Sequence, residues 1–149
     1  MAQEIKPTVL NLNGYIDLSD TTSSYDSGSP VAVTDIADTT GTDYEYAPTK
    51  DTNFLIYVQT TDSGDDIDSV TVKAGDYFQD TIQDGSGGSQ DNDLVITGIT
   101  LSEGEAILIG PLESARFLNS DGKVEFTVVA SASGQDATLA IIEISYEEE

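Results

Sequence analysis

The chain has no cysteine, no histidine and no tryptophan, and only five of its 149 residues are Lys or Arg. Each absence removes a class of chemistry. Without cysteine there are no disulfides and no thiolate ligands, so stability has to come from core burial or from association of copies. Without histidine as well, Ser-His-Asp catalysis and zinc sites built on His or Cys are excluded, and the usual general base is gone. Paired carboxylates remain, and such pairs hydrolyse glycosides. With 28 Asp and Glu in the chain, however, some pair falls at a suitable separation by chance. The expectation is a protein that is not an enzyme.

The scarcity of Lys and Arg also leaves no basic stripe to neutralise phosphates, so no nucleic-acid partner is expected. No apolar run approaches the roughly 20 residues that span a bilayer, so no membrane partner is expected. Met1 to Gly14 contains no apolar run of the length a signal peptide needs. A soluble protein without a leader is the expectation.

What the chain has in excess is acid. The formal net charge is −23, and the carboxylates are spread along the whole length rather than gathered into one tail. At ordinary ionic strength such a charge repels itself and strains the compact state. In molar salt the Debye length falls to about 3 Å and the repulsion is largely screened. The composition suits a halophilic protein, kept soluble in concentrated brine.

Apolar residues recur with a period of two far more often than 3.6. Thr8 to Leu12 reads as a short strand ending in the Asn13-Gly14 turn signal. Residues 17–30 are mostly Ser, Thr, Asp and Gly with one Tyr, and predict a long loop or extended arm. Val31 to Ile36 resumes the alternation. Residues 37–51 read as a second polar loop, bearing Tyr44 and Tyr46 and broken by Gly41 and Pro48. Phe54 to Val58 predicts a strand buried on both faces, and Ser69 to Lys73 one that ends in the Ala74-Gly75 turn.

Leu94–Leu101, Ala106–Ile109, Arg116–Leu118, Val124–Ala130 and Thr138–Ile144 then alternate in turn, divided by Gly-bearing turns. Short strands at such spacing predict an all-β fold: a single antiparallel β-sandwich, jelly-roll-like. Residues 31–149 form the sandwich in this reading, and residues 1–30 an N-terminal strand with an extended arm or loop. A single helical turn near Pro111 to Ala115 is the one helix expected. Val9, Leu10, Leu12, Tyr15 and Ile16 are the expected interface contacts of such an arm, adding a strand to a neighbour. An ordinary edge strand of the same domain is the other reading of the same residues.

Asp84, Asp91 and Asp93 bring together the oxygen ligands that hold Ca2+, Mg2+, Na+ or K+. They do not fit an EF-hand loop, since counting from Asp91 puts Val95 and Ile96 at the fifth and sixth positions. A solvated acidic loop is the alternative, and no other cofactor is expected. Gly85 to Gly88 lacks the Lys and Ser/Thr of a phosphate loop.

Gly110-Pro111 predicts the end of a strand, because proline fixes φ and cannot donate to a ladder. Asp121-Gly122 supplies positive φ for a tight hairpin into Val124. Arg116, the only arginine, is expected to pair with one of the many carboxylates. The structural role of these turn residues outweighs a catalytic one.

Together with Asn53–Val58, Val70–Gly75, Ser102-Glu103-Gly104, Ile107–Pro111, Phe117–Val124 and Leu139–Ile144, they form a pattern. It resembles the small capsid decoration proteins (cement or turret) of tailed phages and haloarchaeal tailed viruses. That resemblance implies a virion structural protein on the outer capsid surface, bound to the major capsid protein and to copies of itself as a trimer or pentamer. A second expectation is a receptor- or carbohydrate-binding sandwich on a virion spike, a tail or a halophile cell surface, with Tyr44 and Tyr46 as its candidate surface. A domain of a surface layer or adhesin is a third, disfavoured by the missing leader.

Overall fold

The computed structural model describes residues 2–19, 21–22, 25, 30–49, 53–61, 67–75, 93–101 and 104–148. Among these residues ten strands follow one another: β1 (Gln3–Glu4), β2 (Pro7–Leu12), β3 (Val31–Ile36), β4 (Thr42–Tyr46), β5 (Asn53–Thr60), β6 (Ile67–Val72), β7 (Leu94–Leu101), β8 (Ala106–Glu113), β9 (Val124–Ala130) and β10 (Gln135–Glu148). One helical turn, α1 (Ser114–Phe117), separates β8 from β9. Sheet A has the order β1-β4-β9-β6-β7, and sheet B the order β2-β10-β5-β8 with β3 also on β10. The two pack face to face as an all-β sandwich.

The alternation read from the sequence decides which side chains fill it. Along β5, Phe54, Ile56, Val58 and Thr60 are fully buried while their neighbours point outward. Leu139 and Ile141 of β10 extend that inner face, and Tyr44, Phe126 and Val72 answer from sheet A, level with one another in the ladder. The Tyr44 and Phe126 rings sit 5.7 Å apart, and Tyr46 meets Phe54 across the two sheets at 5.2 Å. Each large apolar side chain removed from water contributes roughly 1.5–3 kcal/mol.

Several expectations are corrected. The sheets are mixed rather than antiparallel, because β1 pairs with β4 and β2 with β10 in parallel. Parallel neighbours require a long crossover, and nearly the whole domain lies between β2 and β10. Those parallel edges also depart from the eight-stranded jelly roll. Residues 37–51 are not all loop, since Tyr44 and Tyr46 sit in β4. The β5 strand is not buried on both faces, as Leu55 and Tyr57 are only half-buried. The first twelve residues supply a strand to each sheet, so the N-terminal strand lies inside the sandwich.

The strand end expected at Gly110-Pro111 is also displaced. β8 runs through Pro111 to Glu113, with a register shift between Phe54 and Ile56 of its partner. β8 is an edge strand, and an edge accommodates a residue that cannot donate. Arg116 and Phe117 belong to α1, one turn of helix close to the one anticipated, and Leu118 forms a single bridge to Val124. The Asp121-Gly122 hairpin is as expected. Gly122 has φ +77°, and Asn119 Oδ1 accepts from the N–H groups of Asp121 and Lys123.

Gly75 closes the far side of this hairpin. Its N–H donates to the Arg116 carbonyl at 2.9 Å, and a Cβ there would collide with the Leu118 carbonyl oxygen and stand 2.8 Å from its nitrogen. Backbone atoms cannot step aside as a side chain can. Gly75→Ala is therefore expected to cost about 2–3 kcal/mol, as overpacking does. Thermal melting checks this, and a loss below about 0.5 kcal/mol would show that the backbones are not in contact.

Candidate functional site

The outward faces of the two sheets differ in kind. On sheet A, Glu4, Glu45 and Glu125 stand directly opposite one another on β1, β4 and β9. Like charges so placed repel. Three lysines offset them, and Lys6 Nζ lies 3.8 Å from Glu4. Lys123 Nζ lies 3.1 Å from Glu45 and 3.4 Å from Glu4, and Lys73 Nζ lies 3.5 Å from Glu125 and 3.6 Å from Asp43. Hydrogen bonds to Glu45 and then Glu4 hold the Lys123 ammonium protonated above its ordinary range. A depression of about 280 Å³ beside this lattice is lined by Lys73, Phe117, Asn119, Asp121 and Glu125. Its polar groups are engaged in the ion pairs and in the hairpin.

Sheet B turns an uncharged face outward. Register places Leu108 beside Tyr57 and Tyr57 beside Ala140, and in the next row Leu55 beside Ile142 and Ile142 beside Thr8. Ala140 and Ile142 are 2% and 4% exposed although they point away from the core. Leu108 is 55% exposed. In a chain of net charge −23, four adjacent strands without a charge at their centre form the most distinctive surface. The signal was present as outward alternation in β5 and β10, but sequence reasoning did not identify it.

Between the sheets lies Glu143, also missed. It occupies a core position of β10, fully buried. Its Oε2 accepts from the Tyr46 hydroxyl at 2.8 Å and the Thr49 N–H at 3.0 Å, and its Oε1 accepts from the Thr49 hydroxyl at 2.5 Å. Three donors on two oxygens satisfy a buried carboxylate that would otherwise be costly. Burial, with the bond to Glu143 and its charge, keeps the Tyr46 phenol protonated well above its ordinary range. Glu143 is a clamp between sheets.

The anticipated sites fall as follows. Val9, Leu10 and Leu12 lie in β2, with Val9 40% and Leu12 47% exposed, and Tyr15 beyond the strand is 89% exposed. Ile16 is half-buried. β2 is an edge strand of its own sandwich. Asp84 and Asp91 lie outside the described residues. Asp93 Oδ1 accepts from the Ala74 N–H at 2.6 Å, joining the start of β7 to the end of β6. Among the described residues no three His, Cys, Asp or Glu converge as metal ligands. The Arg116 guanidinium lies over the Phe117 ring at 4.9 Å. Tyr44 and Tyr46, expected as a binding surface, are 2% and 0% exposed. They belong to the core because β4 turns both inward, which overturns that assignment. No protein-family model matches the chain, and neither does any curated protein or solved structure.

Proposed function

We propose that this chain is a non-enzymatic structural protein that decorates the outer capsid surface of a tailed virus of a halophilic host. The uncharged outer face of sheet B carries the reading, because it is where a strongly acidic sandwich can lie against another protein without burying charge. The carboxylate-rich face of sheet A then meets the salt solution. The sequence resemblance supplies the identity of the assembly. The partners are the major capsid protein beneath and neighbouring copies, as a trimer or pentamer, at the sides.

Copy number is the test. Mass spectrometry of purified particles should recover the chain in a fixed ratio to the shell protein. Leu108→Asp, a change at an exposed position, should release it from particles while its circular dichroism stays that of the parent. Recovery only in the soluble fraction, or a variant held as firmly as the parent, overturns the proposal.

A further inference from the structure

A sandwich of two open sheets has four edges, and an open edge is a template for another chain unless something blunts it. Two of the four are blunted here. β1 is two residues long. β8 carries Pro111 and a register shift, with Glu105 and Glu113 at its ends. The other two are not. β7 has eight residues and β2 six, and neither contains a charged side chain. Among the described residues β7 pairs only with β6, and β2 only with β10.

These two edges face opposite sides of the molecule. β1 and β2 are joined by Ile5 and Lys6 alone, with Ile5 fully buried, and so short a link just spans the roughly 10 Å between packed sheets. The β1 end of sheet A therefore overlies the β2 end of sheet B. At the other side, Thr60 Oγ1 donates to the Leu101 carbonyl and the Thr60 carbonyl accepts from the Gly104 N–H, which ties the end of β7 to the β5–β8 side. Among the described residues each side of the sandwich thus offers one open edge, and the two belong to different sheets. Of the five exposed large apolar side chains among the described residues, all but Leu108 of β8 lie there. Val9, Leu12 and Tyr15 lie on or just after β2, and Val95, 54% exposed, lies on β7.

We propose that copies of this chain join head to tail, the β7 edge of one adding to the β2 edge of the next. Sheet A of one protomer then continues as sheet B of its neighbour, and the series closes as a ring when the rotation between copies allows it. A second copy is the occupant because it brings the matching edge, and because two chains of net charge −23 can approach closely only where both lack charge. Ladder hydrogen bonds give the adhesion and the exposed apolar side chains the register. This deepens the copy-to-copy part of the function proposed above and needs no shell.

The experiment uses the purified full chain in about 1 M NaCl, where the Debye length is about 3 Å, with mass read by light scattering. The parent should run as a closed ring of three or five copies. Val95→Asp on β7 and Leu12→Asp on β2 should each give folded monomers, with circular dichroism unchanged. Mixed in equal amounts, the two variants retain one good β7 and one good β2 between them, so they should form a one-to-one dimer and stop. A monomeric parent, a variant that still forms the ring, or a mixture that stays monomeric each overturns the proposal. Ring formation without particle binding would instead sink the capsid reading alone.

Discussion

Replacing Glu143 with alanine is expected to cost about 3 kcal/mol, since it takes the acceptor from three donors, one of them the fully buried Tyr46 hydroxyl, and leaves a cavity between the sheets. In a domain of this size that lowers Tm by roughly 6–12 °C. The donors are the Tyr46 hydroxyl, the Thr49 hydroxyl and the Thr49 N–H. Tyr46→Phe deletes one donor and leaves Glu143 with two, so its cost should be smaller, about 1–2 kcal/mol. The double variant measures the coupling, which should fall short of additivity by about 1 kcal/mol. In alkali the sign is fixed by the raised Tyr46 pKa. Its contribution is intact below the ordinary value of 10.0 and is lost as pH climbs through the higher folded value. A Glu143→Ala protein melting within 2 °C of the parent, about 0.5 kcal/mol, would show that the clamp does not hold the sheets.

Dilution of salt is expected to have an effect of comparable size. A net charge of −23 over 7732 Å² of surface leaves one charge per roughly 340 Å², a spacing of about 18 Å. That spacing exceeds the Debye length of about 8 Å at physiological ionic strength but not the one of about 30 Å at about 0.01 M. Average repulsion is therefore strongest in dilute buffer, while carboxylates closer together than the average still repel at ordinary ionic strength. The row Glu4, Glu45 and Glu125 acts at shorter range. Carboxylates about 5 Å apart repel by about 0.8 kcal/mol in a water-like dielectric, and Lys6, Lys73 and Lys123 offset only part of it. Going from about 1 M to about 0.01 M NaCl should lower Tm by roughly 10 °C or more, equivalent to about 3–5 kcal/mol. Sucrose is the control, since it stabilises by exclusion and leaves charges unscreened. Equal gains in sucrose and NaCl, or a flat salt series, would remove the basis for a brine-adapted protein.

The sandwich was legible because alternation is a direct imprint of a half-buried strand. Val31–Ile36, Leu94–Leu101 and Val124–Ala130 coincide with β3, β7 and β9. Failures cluster where the run is short or the composition polar. Arg116–Leu118 is too brief to separate strand from helical turn, and it became mostly α1. Thr42–Tyr46 alternates as plainly as any strand, yet its two acids and the nearby Gly41 and Pro48 disguised it. Glu143 shares the parity of Leu139 and Ile141, which marks it as inward-facing. Its partners Tyr46 and Thr49 stand 97 and 94 residues away, and only the meeting of the two sheets reveals them. The uncharged face of sheet B depends likewise on which strands become neighbours.

β10 lies last among the strands, yet it is the one on which β2, β3 and β5 all assemble. On one side it spans β5; on the other, β3 and β2 lie end to end along it, one antiparallel and one parallel. Sheet B therefore cannot form progressively during synthesis. Residues 7–12 must wait for residues 141–148 to emerge before they find their partner, and such distant pairing is slow. Until then β5 and β2 are uncovered apolar segments of the kind that aggregate. The acidity that burdens the finished molecule in dilute buffer would keep nascent chains apart during that wait. A charge that opposes compactness at the end of folding is useful at its beginning.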